Sequence, residues 1–480
     1  MKRVLLTVHK FFPTHRAGTE VLTLKVAQEL TKRGFEVLVV CANPPDLDAR
    51  LTESVKASLE TADYVYDGVR VHVVEEALRL NSYTFAHEYN HPQIAQHFKK
   101  ILQEFAPDIV HVFHAQNLSA SIIEEANAAG IAVVMSTTDF WFVCPIVQLK
   151  RPDGAICRGP SKGALNCLTC YTPKLFAPLA EFKEAFGQKY SALTNVLNKL
   201  PANNFFWQAL YGIYGTKKLK GAVVATCQRP GFLQKAANSV KAIMVPTKLM
   251  RDIFIENGIN ADLIHHVSFG IDTEPLVAYQ KKSASDILRI GFIGTLFEHK
   301  GVDLLVKALQ LLPANAPCNL TIWGDPEQFP EYGHELMELA ASVPDRASKI
   351  TFAGTFPNSQ LGPVLSNIDV LVVPSRWYEN TPLVMQSALA TKTPLVVTDL
   401  GGMSELIKDG INGFTFQLNN EKSLASALQK FLDDPQLLAR MRDNIPPEKN
   451  VAQMVDEIEA IYGTLPNASR ADKQSSPVLS

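Results

Sequence analysis

The chain lacks most of what would mark it for an unusual medium. It has 7 cysteines in 480 residues, an odd number and too few for a secreted disulfide framework, so a reducing cytoplasm is the expected setting. Charge of either sign is not in excess: 46 Lys plus Arg face 48 Asp plus Glu, a net charge of -2. No nucleic acid partner is expected from that balance, and any anion site must be local. Long hydrophobic runs are missing too. Val4 to Val8 and Val37 to Ala42 fall far short of the roughly 20 residues that cross a bilayer, so neither a membrane span nor a signal peptide is expected. No G-x-G-x-x-G follows the first strand-like run, which argues against a dinucleotide dehydrogenase.

What is present is an ordinary globular composition, 46% hydrophobic and 20% charged, enough for two large domains or three of about 150 residues. Val4 to Val8, a helix from Thr19 to Arg33 with Val21, Leu24, Ala27 and Leu30 on one face, and Val37 to Val40 form a β-α-β unit. Lys32-Arg33-Gly34 is a basic last turn followed by a stop. Further strands read at 69–74, 108–113, 131–136 and 242–245, then at 290–293, 320–323, 350–352, 370–373 and 395–397. This alternation predicts an α/β protein with two doubly wound domains facing a cleft, 1–280 and 287–445, joined by the polar segment 281–286. A helix within 446–466 is expected to pack back toward the first domain, and 467–480 to be a disordered tail. The stretch from about 171 to 220 breaks the rhythm and reads as inserted helices. Its aromatics and lysines leave two readings, a core stripe or peripheral contact with the inner face of a membrane.

Some motifs are decoys. His87-Glu88-Tyr89-Asn90-His91 fits the zinc-protease pattern, but Pro92 places His91 at a helix start rather than inside a helix. Asp46 and Asp48 resemble a D-x-D metal pair, yet sit beside Pro44-Pro45 in a loop. Three loops after strands of the second domain say more. In 373–384, Thr381 is a good N-cap and Pro382 a good first helical residue, so the backbone N-H groups there offer an anion site. Glu379 is placed either to accept hydrogen bonds from sugar hydroxyls or merely to complement the helix dipole. In 294–301, Lys300 precedes a helix, where it either meets a phosphate or is simply solvated. Gly401-Gly402 with Glu405 allows close backbone approach or a plain turn.

Taken together these stretches resemble glycosyltransferase family 4, the glycosyl transferases group 1, retaining enzymes of the GT-B fold with two Rossmann-like domains. Gly294 to Gly301, Gly324-Asp325, Pro374-Ser375 with Glu379, Gly401-Gly402 with Glu405, and Asp409 to Gly413 carry the resemblance, as do Gly18-Thr19-Glu20, Asp139 to Pro145 and Gly270-Ile271-Asp272. The resemblance implies a nucleotide-sugar donor on the second domain and a glycan or lipid-linked acceptor on the first, with no cofactor and no catalytic metal. Lys300 and Glu379 would be catalytic, Lys300 on the diphosphate and Glu379 on the donor sugar. Gly18, Gly294, Thr295, Asn380, Thr381, Pro382, Leu383, Ser387 and Glu405 would surround the donor, and His15, Glu20, Thr138 and Asp139 would face the acceptor.

Three positions depart from the family pattern. Ser387 stands where a second glutamate usually grips the nucleotide ribose, Thr295 where an arginine precedes the phosphate lysine, and Thr138 where a histidine precedes Asp139. A donor-site-degenerate binder with little or no turnover is therefore the alternative to an active hexosyltransferase. Separately, Cys144, Cys157, Cys167 and Cys170 have the spacing C-x12-C-x9-C-x2-C in a stretch rich in Gly and Pro. They read either as free loop thiols or as a structural zinc site with Cys167 and Cys170 as its knuckle.

Overall fold

The computed structural model describes residues 2–42, 63–74, 84–175, 203–342 and 349–465, and only the backbone of 171–175 and 203–219. Asp46, Asp48, most of the expected insert and the tail at 467–480 lie outside the described residues, as do the side chains of the aromatic stripe.

The first sheet contains β1 (Arg3–Thr7), β2 (Glu36–Cys41), β3 (Asp63–Tyr66), β4 (Val69–Val73), β5 (Ile109–Val112), β6 (Ala132–Ser136), β7 (Ala242–Val245) and β8 (Ile264–His266), in the order β3-β4-β2-β1-β5-β6-β7-β8. All pairings are parallel except β3 with β4. The central strands are buried on both faces, which is why they read as unbroken β-branched runs. β3 alternates exposed and half-buried residues at the sheet edge, and its polar sequence hides it from the periodicity.

The second sheet, wholly parallel, has β9 (Leu288–Ile293), β10 (Cys318–Trp323), β11 (Ile350–Gly354), β12 (Val370–Val373), β13 (Leu395–Thr398) and β14 (Gly413–Phe416) in the order β11-β10-β9-β12-β13-β14. In both sheets the chain reverses its direction of travel beside the first strand, between β1 and β5 and between β9 and β12. Those are the points where a doubly wound sheet opens a crevice at its strand carboxyl ends.

The helix Gly18–Lys32 follows β1, buries Leu22, Val26, Ala27 and Leu30, and is ended by Gly34 at φ 89°. The helix Val451–Thr464 lies on the first domain although it follows the second. Met454, Val455, Ile458 and Tyr462 join the core of β1 and β2, and Tyr462 Oη hydrogen-bonds His111 Nδ1 at 2.7 Å. Arg33 pairs with Asp456 and Glu459 on its outer face.

Helices Leu165–Leu175 and Asn203–Asn238 bracket the insert. The second runs 36 residues through Pro230, well past the expected boundary at 220. Among the described residues no helix is long and apolar enough to cross a membrane. His91 is the N-cap of the helix Pro92–Phe105, with its Nδ1 facing Ile94 N-H, so the zinc-protease pattern is not on one helix.

Candidate functional site

A cleft of about 580 Å³ opens between the strand carboxyl ends of the two sheets. Arg16, Gly18 and Val21 line it from the first domain, Gly270 to Asp272 from the segment after β8, and Gly294, Gly324, Leu383 and Ser387 from the second. Gly18 begins its helix directly opposite Leu383: a Cβ there would stand 4.0 Å from the leucine Cδ1. Four residues expected around a donor, Gly18, Gly294, Leu383 and Ser387, therefore meet at one space.

Lys300 and Glu379 form a second focus on the loops after β9 and β12. Lys300 Nζ lies 2.6 Å from Glu379 Oε1, which also accepts from Ser375 Oγ at 2.8 Å and Trp377 Nε1 at 2.8 Å. Burial alone would raise the Glu379 pKa, but Lys300 and the two hydrogen bonds hold the carboxyl below its ordinary range, so it is ionised. Trp377 carries the lysine over its ring face, 5.5 Å from the centroid. Beside them, burial and then Lys300 push His299 down to about 4.

The local backbone explains the pairing. Lys300 ends a 3₁₀ turn, and Gly301 follows at φ 67° as N-cap of the helix Val302–Leu311. A Cβ on Gly301 would meet Pro374 O at 2.1 Å, so this glycine lets the two loops touch. The lysine thus lies ahead of the helix rather than in its first turn, and a carboxylate rather than solvent meets its charge. Thr381 is not the N-cap that its residue type suggested. It adopts φ 58°, an uncommon conformation for a β-branched residue, and Pro382 becomes the N-cap of the helix Leu383–Ala390. Free N-H groups remain at that helix start. Asn380 Nδ2 crosses to Thr138 O at 3.4 Å, and Thr138 Oγ1 bonds Thr19 Oγ1 at 2.9 Å, linking this loop of the second domain to the first. Thr295 is half-buried behind Gly294 and does not line the cleft.

Glu405 is engaged elsewhere. Its two oxygens accept the Leu249 and Lys248 N-H groups, each at 2.8 Å, capping the helix Lys248–Glu256 of the first domain. It is a clasp between domains and not a wall of the cleft, a role that spacing within its own loop could not reveal.

On the first domain, Asp139 receives His114 Nε2 at 2.6 Å on one oxygen and Trp141 N-H at 2.9 Å on the other. His9 stacks obliquely on His114 with centroids 4.4 Å apart and reaches Glu20 at 3.4 Å. Burial, and then His114, lower the His9 pKa well below its ordinary value, while burial raises that of Glu20. His15 is half-buried, its pKa lowered by burial and then by Lys10. His9 and His114 escaped the sequence reading, although each lies two residues past a strand carboxyl end, the position that should have flagged them.

The four cysteines converge as well. Burial first, and then the neighbouring Cys144, Cys170 and Cys157, push the Cys167 thiol up to about 12. Cys167 and Cys170 lie on the helix Leu165–Leu175 rather than in a loop knuckle. Among the described residues no group of three or more His, Cys, Asp or Glu, these cysteines included, stands in metal-ligand geometry.

The sequence profile described as "Glycosyl transferases group 1" matches residues 279–446, and that described as "Glycosyl transferase 4-like domain" matches 17–162. Alpha-D-kanosaminyltransferase of Streptomyces kanamyceticus is 27% identical over 199 residues, 40% of this chain and 47% of that one. D-inositol 3-phosphate glycosyltransferase of Stackebrandtia nassauensis is 30% identical over 188 residues, 36% of this chain and 41% of that one. The chain spans less than half the length of the curated relatives it matches. HepE of Anabaena, solved in complex with UDP and glucose, superimposes with a TM-score of 0.62 at 15% identity, covering 97% of this chain and 100% of that one. Sucrose-phosphate synthase of Thermosynechococcus elongatus gives 0.61 at 14%, covering 96% and 98%. One profile falls on each domain, so residues 279–446 belong to the glycosyl transferases group 1 family and residues 17–162 to the glycosyl transferase 4-like domain, and the likeness of the whole chain to these structures gives it the GT-B fold.

Proposed function

We propose that this chain is a retaining glycosyltransferase that moves a sugar from a nucleotide-sugar donor to a glycan or lipid-linked acceptor. The observation that carries the reading is the cleft shared by Gly18, Gly294, Leu383 and Ser387, with the ionised Lys300–Glu379 pair on the loops beside it. The named transferases among the relatives, and a neighbour holding UDP and glucose, support a nucleotide sugar as donor. As the bond to the departing diphosphate breaks, negative charge grows on the leaving oxygen. The Lys300 ammonium and the free N-H groups before the helix Leu383–Ala390 are fixed donors for that charge. Glu379 orients Lys300 and offers its carboxylate to sugar hydroxyls. In this scheme the cation is a side chain, so adding magnesium or manganese to metal-stripped buffer leaves the rate unchanged.

One observation favours a second reading, a donor-site-degenerate binder. Ser387 Oγ donates to Leu383 O of its own helix at 2.9 Å, where the family pattern has a carboxylate for the ribose. A thermal-shift screen of nucleotide sugars, followed by transfer and hydrolysis assays on the hits, separates the two. Stabilisation with turnover supports the enzyme, stabilisation without turnover supports the binder, and no stabilisation by any nucleotide sugar overturns both.

A further inference from the structure

Cys144, Cys157, Cys167 and Cys170 come from three separate pieces of chain, yet all four line one void of about 10 Å³. Cys144 follows the Asp139 loop, Cys157 follows the Lys150–Ile156 bridge, and the other two occupy the first turns of the helix Leu165–Leu175. The remaining cysteines, 41, 227 and 318, are elsewhere. A void of this size holds one water or one ion. It is too small for a four-iron cluster.

Polar groups of the loop surround the sulfurs. Gly159 N-H approaches Cys157 Sγ at 3.4 Å, and Asn166 Nδ2 approaches it at 3.8 Å. The backbone groups of Leu149 and Ile146 face Cys144. Gly159 at φ 132° holds its turn against Asn257, whose amide bonds Arg158 O at 2.8 Å, so the Cys157 arm is anchored to the first domain.

We propose that these four cysteines bind a single structural zinc ion. Four thiolates with no carboxylate or water position make a closed tetrahedral set of soft ligands, which suits zinc in a structural role. Binding turns the thiols inward and releases their four protons to solvent, with no electron transferred. The resulting site carries two negative charges. Lys150 and Arg151 on the wall of the void, and the fully buried Arg229 nearby, offset them.

The ion would join turns that the core holds only at their base. Between β6 and the helix Leu165–Leu175 the chain packs Phe140, Trp141, Val143 and Leu149 into the first-domain core, while its backbone order is one isolated bridge, Lys150–Ile156, and a short 3₁₀ turn, Lys162–Ala164. The same segment carries Asp139 at one end, and in its middle Lys150, whose Nζ lies 3.4 Å from Glu298 in the Lys300 loop. Zinc would therefore fix the acceptor-side loop where it touches the donor-side loop.

Metal analysis of the full chain purified without chelator tests this, and one zinc ion per chain is expected. Cys157→Ser and Cys167→Ser should lose the metal, while Cys227→Ser, at an exposed cysteine, should keep it. Reconstitution of stripped wild-type protein with Co²⁺ gives a reading that does not depend on a variant folding. Thiolate-to-cobalt charge transfer with tetrahedral d-d bands, at one equivalent, is the expected spectrum. Four native thiols freely reactive with no zinc or cobalt bound, a disulfide among them, or iron with a visible chromophore would each overturn the proposal.

Discussion

Lys300 and Glu379, 79 residues apart, form one ion pair, 2.6 Å from Nζ to Oε1, with the carboxylate buried. A lysine already matched by a carboxylate binds a phosphate less tightly than a free one would, because the two anions share one cation. The pair also keeps the ammonium fixed when the cleft is empty, so little reorganisation is needed as leaving-group charge develops. Ground-state grip and transition-state positioning therefore pull in opposite directions at this site.

Two substitutions separate those effects. Lys300→Ala should cost more than roughly 3 kcal/mol of transition-state stabilisation, at least a hundredfold in turnover. It should also weaken binding of a nucleoside diphosphate. Glu379→Gln releases the lysine, so diphosphate affinity measured by calorimetry should rise while turnover falls. Diphosphate binding that is weaker in Glu379→Gln than in the parent would refute the shared-cation account.

Glu405 makes a different kind of contact across the molecule. Because it caps the helix Lys248–Glu256 from the other domain, Glu405→Ala should destabilise the chain by about 1 kcal/mol, the usual cost of a lost N-terminal cap. Denaturant unfolding measures the loss directly. A variant with unchanged stability would show that Thr247, whose Oγ1 accepts Met250 N-H at 3.1 Å, suffices as the cap.

These contacts also show where sequence is legible. β1, β2, β5, β6 and β7 are buried on both faces, so each announces itself as a β-branched run, and Gly301, Gly324 and Gly401 mark loops where backbone must approach closely. The edge strand β3 is half-solvated and polar, and therefore silent. Thr381 looks like an N-cap because threonine usually serves that way, but its backbone is left-handed and Pro382 takes the N-cap place. The pairings Lys300–Glu379, His114–Asp139 and Glu405–Lys248 join residues 79, 25 and 157 positions apart. Residue type suggests that each is functional, but what it touches is decided by which strand ends lie side by side in a sheet, for the first two, and by the packing of one domain on the other, for the third.

Lys282, in the linker, predicts a pH dependence. Its Nζ donates to Leu365 O at 2.6 Å and Thr393 Oγ1 at 2.7 Å. Burial first, and then Arg442, pull its amine from 10.5 down to about 7. In the unfolded chain the proton binds near the higher value. The stability linked to this group is thus fully present above that value and is lost as pH falls toward about 7, with a slope near 1.4 kcal/mol per pH unit. Lys282→Met removes the titration, so the stability difference between parent and variant should change steadily between pH 10 and 7 and then level off. Parallel profiles across that range would exclude the assignment.

Ser387 gives the most direct experiment on whether the donor site is complete. It is the fifth residue of the helix Leu383–Ala390, is buried, and lines the cleft, where its hydroxyl donates back to Leu383 O. One short hydroxyl cannot serve two ribose hydroxyls, whereas a glutamate carboxylate reaching into the same space can accept both. Hydrogen bonds to a charged group contribute about 1.5 to 3 kcal/mol, so Ser387→Glu should tighten nucleotide-sugar binding by about ten-fold or more. The cleft that residue 387 lines has a volume of about 580 Å³. Calorimetry of both proteins with the best ligand from the thermal screen decides the matter. Tighter binding with faster transfer would identify the chain as an enzyme weakened at one position. Tighter binding without transfer would place the deficit at Thr295 or Thr138, the two other departures from the family pattern. No gain in affinity would mean that residue 387 does not face the ribose, and the donor pose inferred from Gly18, Gly294 and Leu383 would have to be turned around.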